Sequence, residues 1–268
     1  MDTEGKVALV TGGSSGIGRA TAIALAQAGT SVVIADIDDN GGRQTVALIE
    51  QAGGKAAFVH TDVTRREELE QMVAFAEESF GGLDILHNNA GITTGHPRFP
   101  DAPAERWELT FAVNLWAIIA GTQAAVPAMR RRGGGVIVNT ASLAGVISYQ
   151  PDPIYAATKH GVVGLTRALV FLKDEANIWV NCVCPGVVDT PLLIKGIQEL
   201  TPEERGQRDA IVAQMPLIPA SVVAEAVLEF IRNDSLAGEA MGIMYGQPHR
   251  LIPPSVTLPR DPAQRLTS

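Results

Sequence analysis

Tyr155 and Lys159 stand four residues apart within the apolar segment Ile154 to Leu172. A helix there puts both side chains on one face, a turn apart. A free phenol titrates near ~10, too high for a base at neutral pH, and a nearby ammonium favours the phenolate. The pair is therefore expected to work as acid/base machinery, with Tyr155 exchanging a proton and Lys159 lowering the tyrosine pKa. Ser142 lies 13 residues upstream, at the carboxyl end of the apolar run Val136 to Asn139, where open α/β sheets bind ligands. Its hydroxyl is suited to hold a reacting oxygen.

A second group of residues suits phosphate and ribose. The run Thr11-Gly12-Gly13-Ser14-Ser15-Gly16-Ile17-Gly18-Arg19 follows the apolar Val7 to Val10 and leads into a helical pattern through Ala20, Ile23, Ala24, Leu25 and Ala28. In such a strand, turn and helix, Gly12 permits the tight turn and Gly16 lets backbone N–H groups approach a pyrophosphate at the positive helix end. Gly18 lets the helix pack closely on the sheet. The spacing G-x-x-x-G-x-G differs from the commoner G-x-G-x-x-G. Asp36 ends the next apolar run 18 positions after Gly18, close to the ~20 expected for an acid that binds ribose. That carboxylate would accept from ribose hydroxyls and repel a 2′-phosphate, and neither Ile37 nor the loop 12 to 16 supplies a neutralising Lys or Arg. NAD(H) is expected rather than NADP(H).

The elements that would position these groups are legible in the same way. Short apolar runs at Val7 to Val10, Ser31 to Ala35, Ala56 to His60, Leu83 to Leu86, Val136 to Asn139 and Trp179 to Val183 alternate with longer helical stretches. That order predicts βαβ units and a parallel sheet covered on both faces. The expected fold is a single-domain, doubly wound Rossmann fold over residues 1 to 247, with about seven parallel strands between helix layers. Thr64-Arg65-Arg66-Glu67 reads as a capping box, and Gly29, Gly53-Gly54 and Gly81-Gly82 as helix stops. After Pro248, the prolines 253, 254, 259 and 262 argue against further helix or strand, so residues 248 to 268 are expected to be a tail.

Bulk properties narrow the class further. The chain has 268 residues, is 46% hydrophobic and carries a formal charge of −8, which disfavours nucleic acid or an anionic membrane surface as a partner. Arg130-Arg131-Arg132 ends an apolar helical stretch, where cations complement the helix dipole. Cys182 and Cys184 are two apart in a strand and read as buried small hydrophobes. No apolar signal segment opens the chain and no membrane-spanning run is evident, which predicts a soluble cytoplasmic protein. His60, His87 and His96 lack ligand-like spacing, so no metal is expected, and His87 reads as a hydrogen-bonded core residue.

Gly12, Gly16, Gly18, Asn88-Asn89-Ala90-Gly91, Asn114, Ser142, Tyr155, Lys159 and Pro185-Gly186 together make residues 5 to 246 resemble the short-chain dehydrogenase/reductase family. The resemblance implies that Ser142 orients the substrate oxygen, that Tyr155 exchanges the proton and that Lys159 binds nicotinamide ribose. Asn114 would complete a tetrad by kinking its helix and holding a water beside Lys159. It further implies contacts of Ser14, Ser15, Ile17, Asp36 and Ile37 with the cofactor. Asp62-Val63 would meet adenine, Asn88, Ala90 and Gly91 the adenosine ribose, and Val188 and Thr190, after Pro185-Gly186, the carboxamide side. Asn89 would be structural.

The same resemblance makes residues 190 to 219 the substrate lid. Its Leu192, Leu193, Ile194, Ile197 and Met215 suggest an apolar substrate, either a hydrophobic secondary alcohol or its ketone. Leu143, Tyr149 and Asp152, with Gly95, His96, Phe99 and Val146, are further candidate lining residues. Ser142 to Gly145, Lys159 to Gly164 and Leu236 to Met241 look like the hydroxyprostaglandin dehydrogenase subgroup. That subgroup's glutamine three before the tyrosine is Asp152 here, so another bulky alcohol or a hydroxysteroid fits as well. Helices over 102 to 131 and 152 to 172, with Trp107, Phe111 and Trp116, resemble those of a homodimer or homotetramer. An alternative of another class is a catalytically silent NAD-binding sensor, which loss of Ser142, Tyr155 or Lys159 would favour; all three are present.

Overall fold

The computed structural model describes residues 1–195, 206, 212 and 214–254. Eight strands form one sheet in the order β3-β2-β1-β4-β5-β6-β7-β8: β1 Val7–Thr11, β2 Ser31–Asp36, β3 Lys55–His60, β4 Ile85–Asn88, β5 Gly135–Thr140, β6 Ile178–Pro185, β7 Ala240–Ile243 and β8 Arg250–Leu251. The first seven pair in parallel and β8 pairs antiparallel to β7. The eighth strand corrects the expectation that nothing regular follows Pro248. The prolines 253 and 254 end it, but Arg250 and Leu251 precede them and carry free N–H groups that can pair. Residues 255–268 of the expected tail and most of the expected lid, including Ile197, lie outside the described residues.

β1, β4 and β5 are buried along their whole lengths, as a sheet covered on both faces requires. Helices α1 Gly16–Gln27, α2 Asp39–Gln51 and α8 Ala220–Arg232 seal one face: Leu25, Ile49, Val227 and Phe230 pack with Val10, Ile34 and Val138. α3 Arg66–Phe80, α5 Ala117–Arg131 and α6 Pro153–Ala168 cover the other. There Met72 and Met129 meet Leu9 and Ile137, while Val162 and Val163 meet Cys182 and Cys184. Both cysteines are free and buried.

The glycine stops hold: Gly29, Gly53 and Gly81 all have positive φ. The capping box does not. α3 begins at Arg66, after Arg65 as its N-cap, and Thr64 turns back to the Asp62 carboxylate through both its N–H and its hydroxyl. Glu68 rather than Glu67 reaches back, accepting from Asp62 N–H at 2.6 Å. An aspartate two residues before Thr64 offers the hydroxyl a nearer partner than the helix does.

A π-helical turn, Ala112–Trp116, joins α4 Ala104–Phe111 to α5. The resulting 28-residue run Ala104–Arg131 is long and apolar enough, by length and composition, to cross a bilayer. Its Ala120, Ala125, Ala128 and Met129 are instead buried against the sheet and α3. At its end Arg131 pairs with Glu77 at 2.8 Å and Arg132 with Asp84 at 3.1 Å.

Candidate active site

Strand register aligns the carboxyl ends of β1, β2, β4 and β5 on one edge, with Thr11 beside Ala35 and Asn88 beside Asn139. β1 lies between β2 and β4, so the loops leaving β1 and β4 diverge to opposite faces and leave a crevice between them. Ser142, Tyr155 and Lys159 converge beside it. Ser142 caps the 3₁₀ turn Leu143–Gly145, its Oγ accepting from Ala144 N–H at 3.1 Å and lying 3.4 Å from the Pro185 carbonyl. A Cβ on Gly145 would sit 2.5 Å from the Lys159 carbonyl oxygen, so that turn rests directly on the α6 backbone. This close approach brings Ser142 within hydrogen-bond reach of the Tyr155 phenol.

α6 places Lys159 one turn beyond Tyr155, its Nζ 5.5 Å from the phenol ring centroid. The Nζ is buried and donates to the Thr140 carbonyl at 2.8 Å. Burial lowers its pKa to about 8. Burial also pushes the Tyr155 phenol up to about 12, against the downward pull of its hydrogen bond to Ser142. The phenol is thus raised, where Lys159 was expected to lower it: burial is the largest cause, and the ammonium is directed at a carbonyl of β5.

Asn114 lies inside the π turn and is fully buried. Its Oδ1 accepts from Ile92 N–H and its Nδ2 donates to the Ile92 carbonyl, both at 2.8 Å, with a longer bond of 3.3 Å to Thr158 Oγ1. The kink and the amide thus hold the loop after β4 in place. Gly91 fills the gap between them: a Cβ there would be 3.4 Å from Asn114 Oδ1 and 3.5 Å from Lys159 Nζ.

The cradle for a dinucleotide fits. Gly16 has φ +53°, and a Cβ on it would meet Thr190 at 3.0 Å; one on Gly18 would sit 2.1 Å from the Gly12 carbonyl oxygen. Thr190 and the glycine loop, 174 residues apart in sequence, are therefore neighbours. The N-cap Ser15 forms no side-chain cap, leaving the first N–H groups of α1 available to an anion. Asp36 accepts from Ser14 N–H and Asp38 N–H, both at 3.0 Å, while Asp38 caps α2. Ile37 is 65% exposed. Arg19 is occupied, contacting the Ser14 carbonyl and donating to Thr45 Oγ1 at 3.0 Å. Arg43, 3.8 Å from Asp39, also lies over Phe58.

Other predicted contacts divide. Val63 and Val188 are buried, Val188 bridging to Ile218, and Ala90 N–H is tied to Thr11 Oγ1 at 3.1 Å. Asn88 turns its amide into the core, toward Asn139 and Thr122, so only its backbone faces the crevice. Asn89 is structural as expected, donating to the Thr11 and Gly12 carbonyls. His87 is fully buried, with Nε2 2.9 Å from Thr140 Oγ1 and its pKa lowered to about 3 by burial. Among the described residues no cluster of three His, Cys, Asp or Glu could hold a metal ion.

On the substrate side the rings of Tyr149 and Tyr155 meet edge to face at 6.4 Å, and Leu143 lies 3.5 Å from the position of a Gly186 Cβ. Leu192 and Leu193, in the short helix α7 Pro191–Lys195, are half-buried. Asp152, expected to line the pocket, caps α6 instead, with both carboxylate oxygens engaged by backbone N–H groups. The pair Asp152-Pro153 is a helix-start signal visible in the sequence. Nothing in the sequence marks Thr94, its second partner, or Thr140, whose carbonyl anchors Lys159.

The family model for short chain dehydrogenase matches residues 6–200. The chain belongs to the short-chain dehydrogenase family. Among curated relatives, cyclohexanol dehydrogenase of Acinetobacter sp. (strain SE19) is 43% identical over 188 residues, 70% of this chain and 75% of that one. The 15-hydroxyprostaglandin dehydrogenase of Mus musculus is 34% identical over 257 residues, 91% of both chains. The crystal structure of a point variant of actinorhodin polyketide ketoreductase with NADPH superposes with a TM-score of 0.81 at 34% identity, covering 92% of this chain and 98% of that one. As a member of this oxidoreductase family the chain acts at CH–OH groups. The NADPH in that neighbour leaves the choice between the two nicotinamide nucleotides to be argued from this chain's own residues.

Proposed function

We propose that the protein oxidises a hydrophobic secondary alcohol to its ketone, or reduces that ketone, using NAD(H). The observation that carries this reading is the convergence of Ser142, Tyr155 and Lys159 beside the glycine cradle, in one crevice. Oxidation removes a hydride from the carbinol carbon, which a bound oxidised nicotinamide would accept, and a proton from the hydroxyl, which Tyr155 would receive as phenolate, the form that the positive charge of that ring would favour against burial. Ser142 hydrogen-bonds and orients the reacting oxygen. Lys159 holds positive charge beneath the phenol and would bind the nicotinamide ribose. Asn114 fixes the Ile92 backbone next to Gly91, whose Cβ position lies 3.5 Å from Lys159 Nζ, and a proton would leave along that side without exposing Tyr155.

Asp36 supports NAD(H) over NADP(H), because a 2′-phosphate there would meet a carboxylate while Arg19 and Arg43 are engaged elsewhere. Leu143, Tyr149, Leu192 and Leu193 suit an apolar substrate. A homodimer or homotetramer through α4 to α6 is part of the reading, since Leu109, Phe111 and Ile119 are exposed on those helices, and a cytoplasmic location completes it. Turnover of a secondary-alcohol panel with NAD⁺ and with NADP⁺, followed by absorbance of the reduced nicotinamide, tests the reading. NAD⁺-dependent turnover is expected; a preference for NADP⁺ overturns the Asp36 argument, and binding without turnover favours the sensor.

A further inference from the structure

Asp152 occupies a position that its neighbours alone do not explain. It is the N-cap of α6, and its Oδ1 accepts from Tyr155 N–H at 3.0 Å, as an N-cap aspartate does. Its Oδ2 accepts from Thr94 N–H at 2.9 Å, 58 residues away. Thr94 belongs to the loop after β4 and is buried, with the Thr110 hydroxyl 3.4 Å from its own. Two residues earlier in that loop, Ile92 is gripped through both its N–H and its carbonyl by Asn114. The loop is thus pinned twice, once by a helix that lies across from it and once by the first turn of the helix that carries the phenol.

We propose that Asp152 is a positioning residue, a two-pronged bracket that locks the start of the Tyr155 helix to the Ile92–Thr94 loop after β4. The proposal rests on the site assigned above but concerns its assembly, not the identity of its substrate. A carboxylate is needed because both partners are donors. An asparagine offers one oxygen and one NH₂, so it satisfies either Tyr155 N–H or Thr94 N–H and presents a donor to the other. A serine offers one short acceptor, enough for the cap alone. A bare helix cap would have no use for the second oxygen.

The bracket also brings a negative charge close to the reacting phenol. The groups facing Tyr155 are Tyr149 and Asp152 from the segment before α6, Ser142 after β5, Cys184 of β6 and Lys159 of its own helix. Arg98, from the loop after β4, acts on Tyr149. Asp152 and Tyr149 raise the phenol and Ser142 lowers it. Removing the Asp152 charge lowers the Tyr155 pKa. Because oxidation requires the phenolate, the rising limb of kcat against pH then moves to lower pH.

The test compares Asp152→Ser and Asp152→Asn with wild type by hydrogen exchange of the Thr94 and Tyr155 amides, thermal unfolding and, on an alcohol that wild type oxidises, kcat and KM against pH. For Asp152→Ser the expected result is a nearly unchanged Tm with Thr94 exchange faster by tenfold or more and Tyr155 N–H still protected. Both variants should show KM raised about tenfold and a rising limb shifted to lower pH by about half a unit. An unchanged Thr94 exchange rate, or a KM and limb identical to wild type, overturns the proposal and leaves Asp152 a helix cap. Hydrogen exchange needs no turnover, so the bracket is tested even if the alcohol panel fails.

Discussion

The β1–α1 turn and the β5–α6 unit sit on the same edge of the sheet but are built by different means. The turn is made by backbone. Gly16 takes a positive φ, Gly18 leaves no room for a Cβ against the Gly12 carbonyl, and Asp36 is reached through Ser14 N–H. The catalytic unit is made by side chains that meet across long sequence separations: Lys159 on the Thr140 carbonyl, Asn114 on Ile92, and Asp152 on Thr94. A glycine loop that prescribes its own dihedrals is written locally. A phenol that must exchange a proton depends on burial and neighbours, which several separate segments supply.

That contrast can be broken most sharply at Tyr155. Tyr155→Phe removes the proposed proton carrier and leaves the cradle intact, so kcat is expected to fall by about 10³-fold or more while the NAD⁺ Kd changes less than about threefold. Steady-state kinetics with equilibrium binding checks both. The converse change is Gly18→Ala, whose Cβ would sit 2.1 Å from a backbone oxygen. An NAD⁺ Kd raised about 100-fold is expected, with a smaller loss of kcat at saturation, because the overpacked loop must move at a cost of roughly 1–3 kcal/mol. Equal losses of kcat and affinity in both variants would mean that the two regions are not separable.

Asp36→Ala sharpens the cradle further. Losing the carboxylate proposed to meet ribose is expected to lower the ratio of kcat/KM for NAD⁺ over NADP⁺ about 30-fold, mostly by weakening NAD⁺, with Tyr155 chemistry unchanged.

The smallest effect is expected at the seam. His87 Nε2 contacts Thr140 Oγ1, which donates to Asn89 Oδ1 at 3.2 Å, and Asn89 Nδ2 holds the Gly12 carbonyl. Since Thr140 donates onward, His87 serves as the Nε2–H donor and is neutral. Its pKa is about 3 folded against 6.5 unfolded, so the unfolded chain binds the extra proton between those values. Its contribution to stability is complete above pH 6.5 and is lost as pH falls toward 3, by about 2 kcal/mol at pH 5. In His87→Asn that part of the slope of unfolding free energy between pH 6.5 and 5 disappears, as denaturant titration would show.

Legibility in the sequence follows the same division. The strands, the glycine loop and Asp36 are readable because each is a contiguous pattern with its own physical reason. Tyr155 and Lys159 are readable because helical spacing puts them together. The direction of the Tyr155 shift is not, since burial depends on everything that packs around it. Asp152 reads as a lining residue from its place near Tyr155; only the fold brings Thr94 to its second oxygen. Thr64 misleads because a capping box and an aspartate turn share the same residue types, and Asp62 decides between them. β8 escapes notice because two residues among prolines carry no periodicity.

The most direct test of the central claim is single-turnover transfer of label from a secondary alcohol deuterated at its carbinol carbon to NAD⁺, in wild type and in Tyr155→Phe. The account predicts reduced nicotinamide carrying the deuterium in wild type, with a slowed rate relative to the unlabelled alcohol, and transfer slower by about 10³-fold or more in the variant despite unimpaired NAD⁺ binding. Transfer at a rate near that of wild type after loss of the phenol, or reduced nicotinamide without the label, would contradict it.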